Sequence, residues 1–245
     1  IGTSMSDKKY RLITRADFDG VVSGGLLIEL EMIDDILFVE PKDMQDGKIA
    51  VTENDITTNL PYVEGVYLCF DHHLSETIRV GEKENLIIDP DKPSAARVVY
   101  EHFGGQEKFP GISTELMDAV DKADSADYTE EDILAPGPWT LLNFMLDPRT
   151  GLSKFAEFSI SNEQLMKDMM QYCRHHPIEE ILKIPDVEER LHIYEYNEEF
   201  AELQIRRCAS VYSKLVVVDL RKEEILFPGN RFTVYARSEE RRVGK

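Results

Sequence analysis

The sequence predicts an α/β fold built on a mostly parallel, doubly wound N-terminal sheet, followed by a helical connector and the start of a second α/β lobe. Three observations point there. Short apolar runs bounded by turn residues recur at Tyr10–Thr14, Asp35–Glu40, Ile49–Asn54, Val66–Phe70 and Asn85–Asp89, the pattern of buried strands. Helical stretches alternate with them, and the acids and histidines cluster just after strand ends, where open α/β sheets build their sites. Beyond Pro138 the pattern turns almost wholly helical as far as Tyr212, and strand signals then return.

Tyr10–Thr14 leads into Thr14-Arg15-Ala16-Asp17-Phe18-Asp19-Gly20, after which Val21–Met32 reads as a helix with one broad apolar face. Gly20 lets the backbone turn tightly between the two. Alternation along an extended segment sends Asp17 and Asp19 in similar directions. Helix capping accounts for one of these acids and not for both. Asp35–Glu40 is a second strand, Pro41–Gly47 a turn, and Ile49–Asn54 a third strand ending at Asp55. Val66–Phe70 is a buried fourth strand that delivers Asp71, His72 and His73 at its C-terminal end. Asn85–Asp89 is a fifth, stopped by Pro90. Few helical crossovers fit between Asp35 and Asp89, so at least one connection there is irregular.

Ser94 caps a helix that runs through His102 and stops at Gly104-Gly105. A further helix, Ile112–Ala123, runs into Asp121, Asp124 and Asp127, spaced so as to follow one face. A solvated helix end accounts for Asp121 and Asp127, whose carboxylates oppose the helix dipole. His175-His176 stand at a helix boundary with no acid cluster of matching spacing and are not read as ligands. Asp186–Tyr212 is one long amphipathic pattern that suggests a connector helix between two lobes, and Lys214–Leu220 and Arg231–Ala236 are strands again. The expected organisation is a metal-binding domain over 5–135, a helical region and connector over 136–212, and a C-terminal substrate lobe that starts at 213–236 and breaks off. Residues 1–4 and 237–245 read as foreign.

Composition narrows the function. The formal net charge of −19 argues against broad binding to long nucleic acid. It leaves room for a small phosphorylated substrate, because a bound cation reverses the local field. No apolar stretch approaches the roughly 18 residues of a membrane span. Cys69, Cys173 and Cys208 are far apart and odd in number, which suggests the reduced thiols of a cytoplasm and not a disulfide frame.

In a parallel sheet, Asp17, Asp19, Asp55, Asp71-His72-His73 and Asp124 would line one edge. Two carboxylates ~4 Å apart at an effective dielectric of about 20 repel by roughly 4 kcal/mol, so such a cluster makes sense around a cation. Oxygen with some imidazole ligation suits Mn(II), Mg(II) or Fe(II).

These residues resemble, in order, the motifs of the DHH phosphoesterase family, which includes exopolyphosphatase-like proteins and oligoribonucleases. The resemblance covers Tyr10–Tyr128. It implies a two-lobed phosphoesterase with two Mn(II) or Mg(II) ions. By motif, Asp17 and Asp19 would bind separate metals and Asp55 would bridge them. Asp71 would orient its neighbours, His72 would be a ligand, and His73 would face a substrate phosphate. Asp124, followed by Ser125, would be the fourth-motif ligand, with Asp121 as the alternative.

The family's first motif usually opens with a metal-ligating histidine where this chain has Arg15. A guanidinium offers no lone pair to a metal, but it can hold a phosphate by two parallel hydrogen bonds. One metal site is therefore a ligand short, so that ion is expected to be weakly held, to be recruited with substrate, or to be dispensed with in favour of a single ion. The Gly-rich, His-containing loop of many relatives' second lobe is not found before Lys245.

The expected reaction is hydrolysis of a phosphoester or phosphoanhydride by a metal-activated water, with Arg15, Asp71 and His73 as catalytic groups. Short oligonucleotides, short RNA among them, dinucleotides and polyphosphate all fit as small phosphorylated substrates. Neither a long duplex nor a membrane is expected as a partner, and a homodimer stays open. The other reading is a metal- or nucleotide-binding regulatory protein that lost catalysis with the first-motif histidine.

Overall fold

The computed structural model describes residues 7–230 and 232–236. The tails read as foreign, Ile1–Ser4 and Arg237–Lys245, and Arg231 at the head of the last expected strand lie outside the described residues. Two compact units divide the chain: one holds the residues through Asp127 together with Glu163–Pro177, the other Tyr128–Asn162 and the residues from Ile178 onward.

The first unit is built on β1 (Tyr10–Thr14), β2 (Ile33–Phe38), β3 (Asp55–Thr58), β4 (Leu68–Asp71) and β5 (Leu86–Ile88), all parallel, in the order β2-β1-β3-β4-β5. Helices α1 (Phe18–Glu29), α2 (Pro41–Gln45), α3 (Leu74–Val80), α4 (Ala95–His102) and α5 (Thr114–Ser125) follow the strands. Leu12, Ile13 and Thr14 of β1 are fully buried, as are Cys69 and Phe70 of β4. Strands covered on both faces need apolar side chains at successive positions, which is why these runs read as strands from sequence.

The order reverses between β1 and β3, so the C-terminal ends of these two strands flank the switch point where open α/β sheets bind ligands. Residues 59–67 cross from β3 to β4 without a helix, the irregular connection that the crowded strand signals require. Ser94 caps α4 by accepting from Arg97 N at 3.0 Å.

Several expected segments differ. The third strand is not Ile49–Asn54 but Asp55–Thr58, because the ladder pairs Arg11 with Asp55 and Leu12 with Ile56. Residues 52–54 instead form a turn, in which Asp55 Oδ2 accepts from Thr52 N at 2.7 Å. Within the expected turn Pro41–Gly47, Pro41 opens the short helix α2, a position where its missing N–H costs nothing. Helix α9 (Asn162–His175) belongs, from Glu163 on, to the first unit. There it packs on α1, where a Cβ on Gly24 would meet Met170 Sδ at 2.4 Å. Arg174 Nε and His175 Nε2 close the contact on Glu29, at 2.8 and 3.1 Å.

The second unit contains α6 (Glu130–Leu134), α7 (Pro138–Leu146), α8 (Leu152–Phe155), α10 (Ile178–Ile181) and α11 (Pro185–Cys208). An antiparallel ribbon, β6 (Ala209–Tyr212) and β7 (Leu215–Val218), follows. The long helical pattern therefore stops at Cys208 and its last four residues are strand. Within α11, buried Arg190 donates to Asp186 O and Ile160 O and lies over the Phe158 ring. The strand expected at the chain's end is a helical turn over 233–236, begun where Asn230 Oδ1 accepts from Phe232 N at 2.9 Å.

Candidate functional site

The site is assembled from strand ends. Beyond β1 the chain folds back so sharply that a Cβ on Gly20 would lie 2.1 Å from Arg15 O, so only glycine fits. Asp17 caps α1, its Oδ1 accepting from Gly20 N at 2.8 Å. Asp19 is buried, and its two oxygens accept from Ala95 N at 3.2 Å and Ala96 N at 2.9 Å. Those amides begin α4, where the helix end favours negative charge. Even so, burial first and the charges of Asp124 and Asp17 next push the Asp19 carboxyl well above its ordinary range.

β4 delivers the other half. His72 Nδ1 lies 3.1 Å from Lys92 O. A carbonyl only accepts, so Nδ1 carries the proton of the neutral ring and Nε2 its lone pair. Nε2 sits 2.8 Å from Asp124 Oδ2, outside hydrogen-bond geometry, and remains a buried atom without a hydrogen-bonded partner. A lone pair facing a carboxylate repels unless a proton or a cation stands between them. Burial lowers the His72 pKa, but Asp124, with the charges of Asp19 and Asp71, outweighs it and pushes it up to about 9.

One atom each from Asp19, His72 and Asp124 lie within 4.8 Å of one another, as do atoms of Asp71, His72 and His73. Asp71 Oδ1 is 2.6 Å from His73 Nδ1, while Asp71 Oδ2 is buried without a partner. His73 is half-exposed. Arg15 Nε stands 3.6 Å from Asp17 Oδ2, beyond hydrogen-bond reach.

Asp55, expected as the bridging ligand, does not join this group. It opens β3 instead of following it, three residues and therefore about 10 Å from the strand's far end. Its carboxylate is taken by Arg11, with Nε at 2.8 Å and Nη2 at 3.1 Å. Asp121, the alternative to Asp124, is held by Ser94 Oγ at 2.8 Å and Arg97 Nε at 2.9 Å. Asp17 is absent from both groups among the described residues. Sequence reasoning did not single out Lys92, whose carbonyl sets the His72 tautomer, or the α4 amides that hold Asp19. Backbone groups carry no sequence signal.

Buried Asp19 and Asp71 and part-buried Asp124 gather around His72 beyond the strand ends of a parallel sheet, a donor set suited to a hard cation. No family model matches the chain, and no curated protein does. Among solved structures it is similar to the pGpG-specific phosphodiesterase PggH from Vibrio cholerae, at 51% identity and a TM-score of 0.85, over 95% of this chain and 75% of that one. The chain belongs to the phosphodiesterase family of PggH. An uncharacterized protein from Helicobacter pylori G27 matches with 10% identity and a TM-score of 0.33, over 85% of this chain and 74% of its own, too remote to carry any argument. No helix among the described residues is long and apolar enough to cross a membrane.

Proposed function

We propose that this protein is a divalent-metal-dependent phosphodiesterase of the DHH type that hydrolyses a short oligonucleotide, with pGpG as the first substrate to try. The observation that carries this reading is the 51% identity to a pGpG-specific phosphodiesterase over nearly the whole chain.

The metal part rests on the site's donors. Asp71 Oδ2 is a buried acceptor without a hydrogen-bond partner, and Asp19 and Asp124 face the His72 imidazole. Carboxylate oxygen with one imidazole fits Mn(II) or Mg(II). Asp19, His72 and Asp124 would hold the ion. A divalent cation there supplies Lewis acidity, which neutralises phosphoryl charge and makes water acidic enough to attack near neutral pH. Where a second ion would need a histidine the chain has Arg15, which favours one firmly held ion.

The chain's own residues do the rest. The Lys92 carbonyl keeps the His72 lone pair turned toward the carboxylates. The α4 amides hold Asp19 in place. Asp71 orients His73, whose half-exposed ring donates to a phosphoryl oxygen. Arg15, loosely placed beside Asp17, holds phosphoryl oxygens through its planar fork. Water adds to phosphorus, the bond from phosphorus to the ribose 3′-oxygen breaks, and that oxygen takes up a proton, so pGpG yields two molecules of GMP.

Chromatography of pGpG incubated with the protein tests this, with Mn(II), Mg(II) or a chelator present and with polyphosphate and longer RNA as competitors. GMP formation that needs metal supports the reading. Metal binding and pGpG binding without any turnover would favour the regulatory alternative.

A further inference from the structure

We propose that Asn59 supplies a neutral oxygen ligand to the cation held by Asp19, His72 and Asp124; the inference rests on the metal reading above. Asn59 is the first residue beyond β3, the strand between β1 and β4. Its backbone N donates to Phe70 O at 3.0 Å, which places it alongside the β4 end that carries Asp71. On its other side the preceding residue, Thr58, bonds through its hydroxyl to Thr14 Oγ1 at 2.8 Å, at the end of β1. Asn59 thus stands at the switch point, between the segment that carries Asp17 and Asp19 and the one that carries Asp71 and His72.

Its side chain is unusual for that place. Asn59 is only 4% exposed, and its Oδ1 is buried with no hydrogen-bond partner. A buried acceptor left unpaired costs stability. Across the adjoining strand end, Asp71 Oδ2 is in the same condition. Two buried oxygens without partners on neighbouring strand ends, beside an imidazole whose Nε2 faces the Asp124 carboxylate at 2.8 Å, are complemented by a cation.

The backbone sharpens the point. Asn59 has φ of 57°, the left-handed region that asparagine tolerates and glycine prefers. Glycine would make the same turn without burying an orphan oxygen, so the turn alone does not explain the amide. The choice of amide over carboxylate also has a physical reason. Asp19, Asp71 and Asp124 already bring three carboxylates together, and a fourth would add repulsion whenever the metal is absent.

Two variants test this, Asn59→Gly and Asn59→Asp, by electron paramagnetic resonance titration of Mn(II) and by thermal melts with and without metal. Asn59→Gly keeps the turn and removes the oxygen. It is expected to weaken Mn(II) binding about ten- to a hundredfold without lowering the metal-free melting temperature. Asn59→Asp is expected to bind Mn(II) more tightly and to melt lower without it. Wild-type Mn(II) affinity in Asn59→Gly overturns the inference and leaves the residue a backbone role only. Should Asn59→Gly fail to fold, unchanged affinity in Asn59→Asp overturns it equally. An unsubstituted protein that binds neither Mn(II) nor Mg(II) overturns the metal reading and this inference together.

Discussion

Asp55 carries its charge into a two-point pair with Arg11 at the opposite end of β3 from the site. Asp55→Asn is therefore expected to lower stability by about 1.5–3 kcal/mol and to leave Mn(II) affinity unchanged, as melts and metal titrations would show. His72→Ala should lose both metal binding and activity, because its Nε2 is aimed at Asp124 and has no other partner. His73→Ala should keep the metal and lose rate, since its ring is tied to Asp71 and not to Asp19 or Asp124. Arg15 is held loosely by Asp17, so its fork is available to a phosphate. Arg15→Ala should then lower kcat/KM roughly ten- to a hundredfold with metal content intact. If Arg15→His raises Mn(II) occupancy and rate together, Arg15 marks a lost metal ligand and not a phosphate clamp.

Glu76 of α3 braces the helix-free crossover from β3 to β4. Its Oε2 accepts from Tyr62 N at 2.9 Å, and Arg79 bonds both of its oxygens at 2.8 Å. The Arg79 hydrogen bond, against the opposing effect of burial, lowers the Glu76 pKa below 4.5. A carboxyl depressed in the folded state stabilises above its unfolded pKa and loses that contribution as pH falls through the folded value. Glu76→Gln should accordingly melt lower than the parent at pH 7, and the gap should narrow as pH drops below 4.5. The turn from β1 into α1 is equally exacting. Gly20→Ala places a Cβ against backbone, so both stability and Mn(II) affinity should fall. Gly24→Ala meets only the flexible Met170 thioether and should cost less stability, with metal binding intact.

Across the whole molecule, a net charge of −19 works against compaction, and the buried carboxylates at the switch point concentrate that repulsion. A divalent cation at a hundredfold excess over its Kd stabilises the native state by about 2.7 kcal/mol. For a chain of this size that is a rise of roughly 5–11 °C in Tm. Identical melting curves with Mn(II) and with chelator would count against an occupied cluster. The same overall charge favours a dinucleotide over a long polyanion, so turnover should fall as RNA length increases.

Alternating strands and helices, the Ser94 cap and the helix-free crossover were legible in the sequence, because burial on both faces of a strand and helix capping are written in local patterns. Motif order also grouped Asp19, His72 and Asp124, which the structure brings together. The rest needed the tertiary structure. Ile49–Asn54 is as strand-like as Asp55–Thr58, and cross-strand register with Arg11 decided between them, which moved Asp55 to the far end of β3. The motif resemblance had already put Asp124 before Asp121; what the structure adds is that Ser94 and Arg97, outside that helix, take up the Asp121 carboxylate. Asn59 gives no signal at all until burial shows its oxygen without a partner. The place of α9 beside α1 follows from Met170 meeting Gly24, a fit between segments far apart in the chain that no local pattern records.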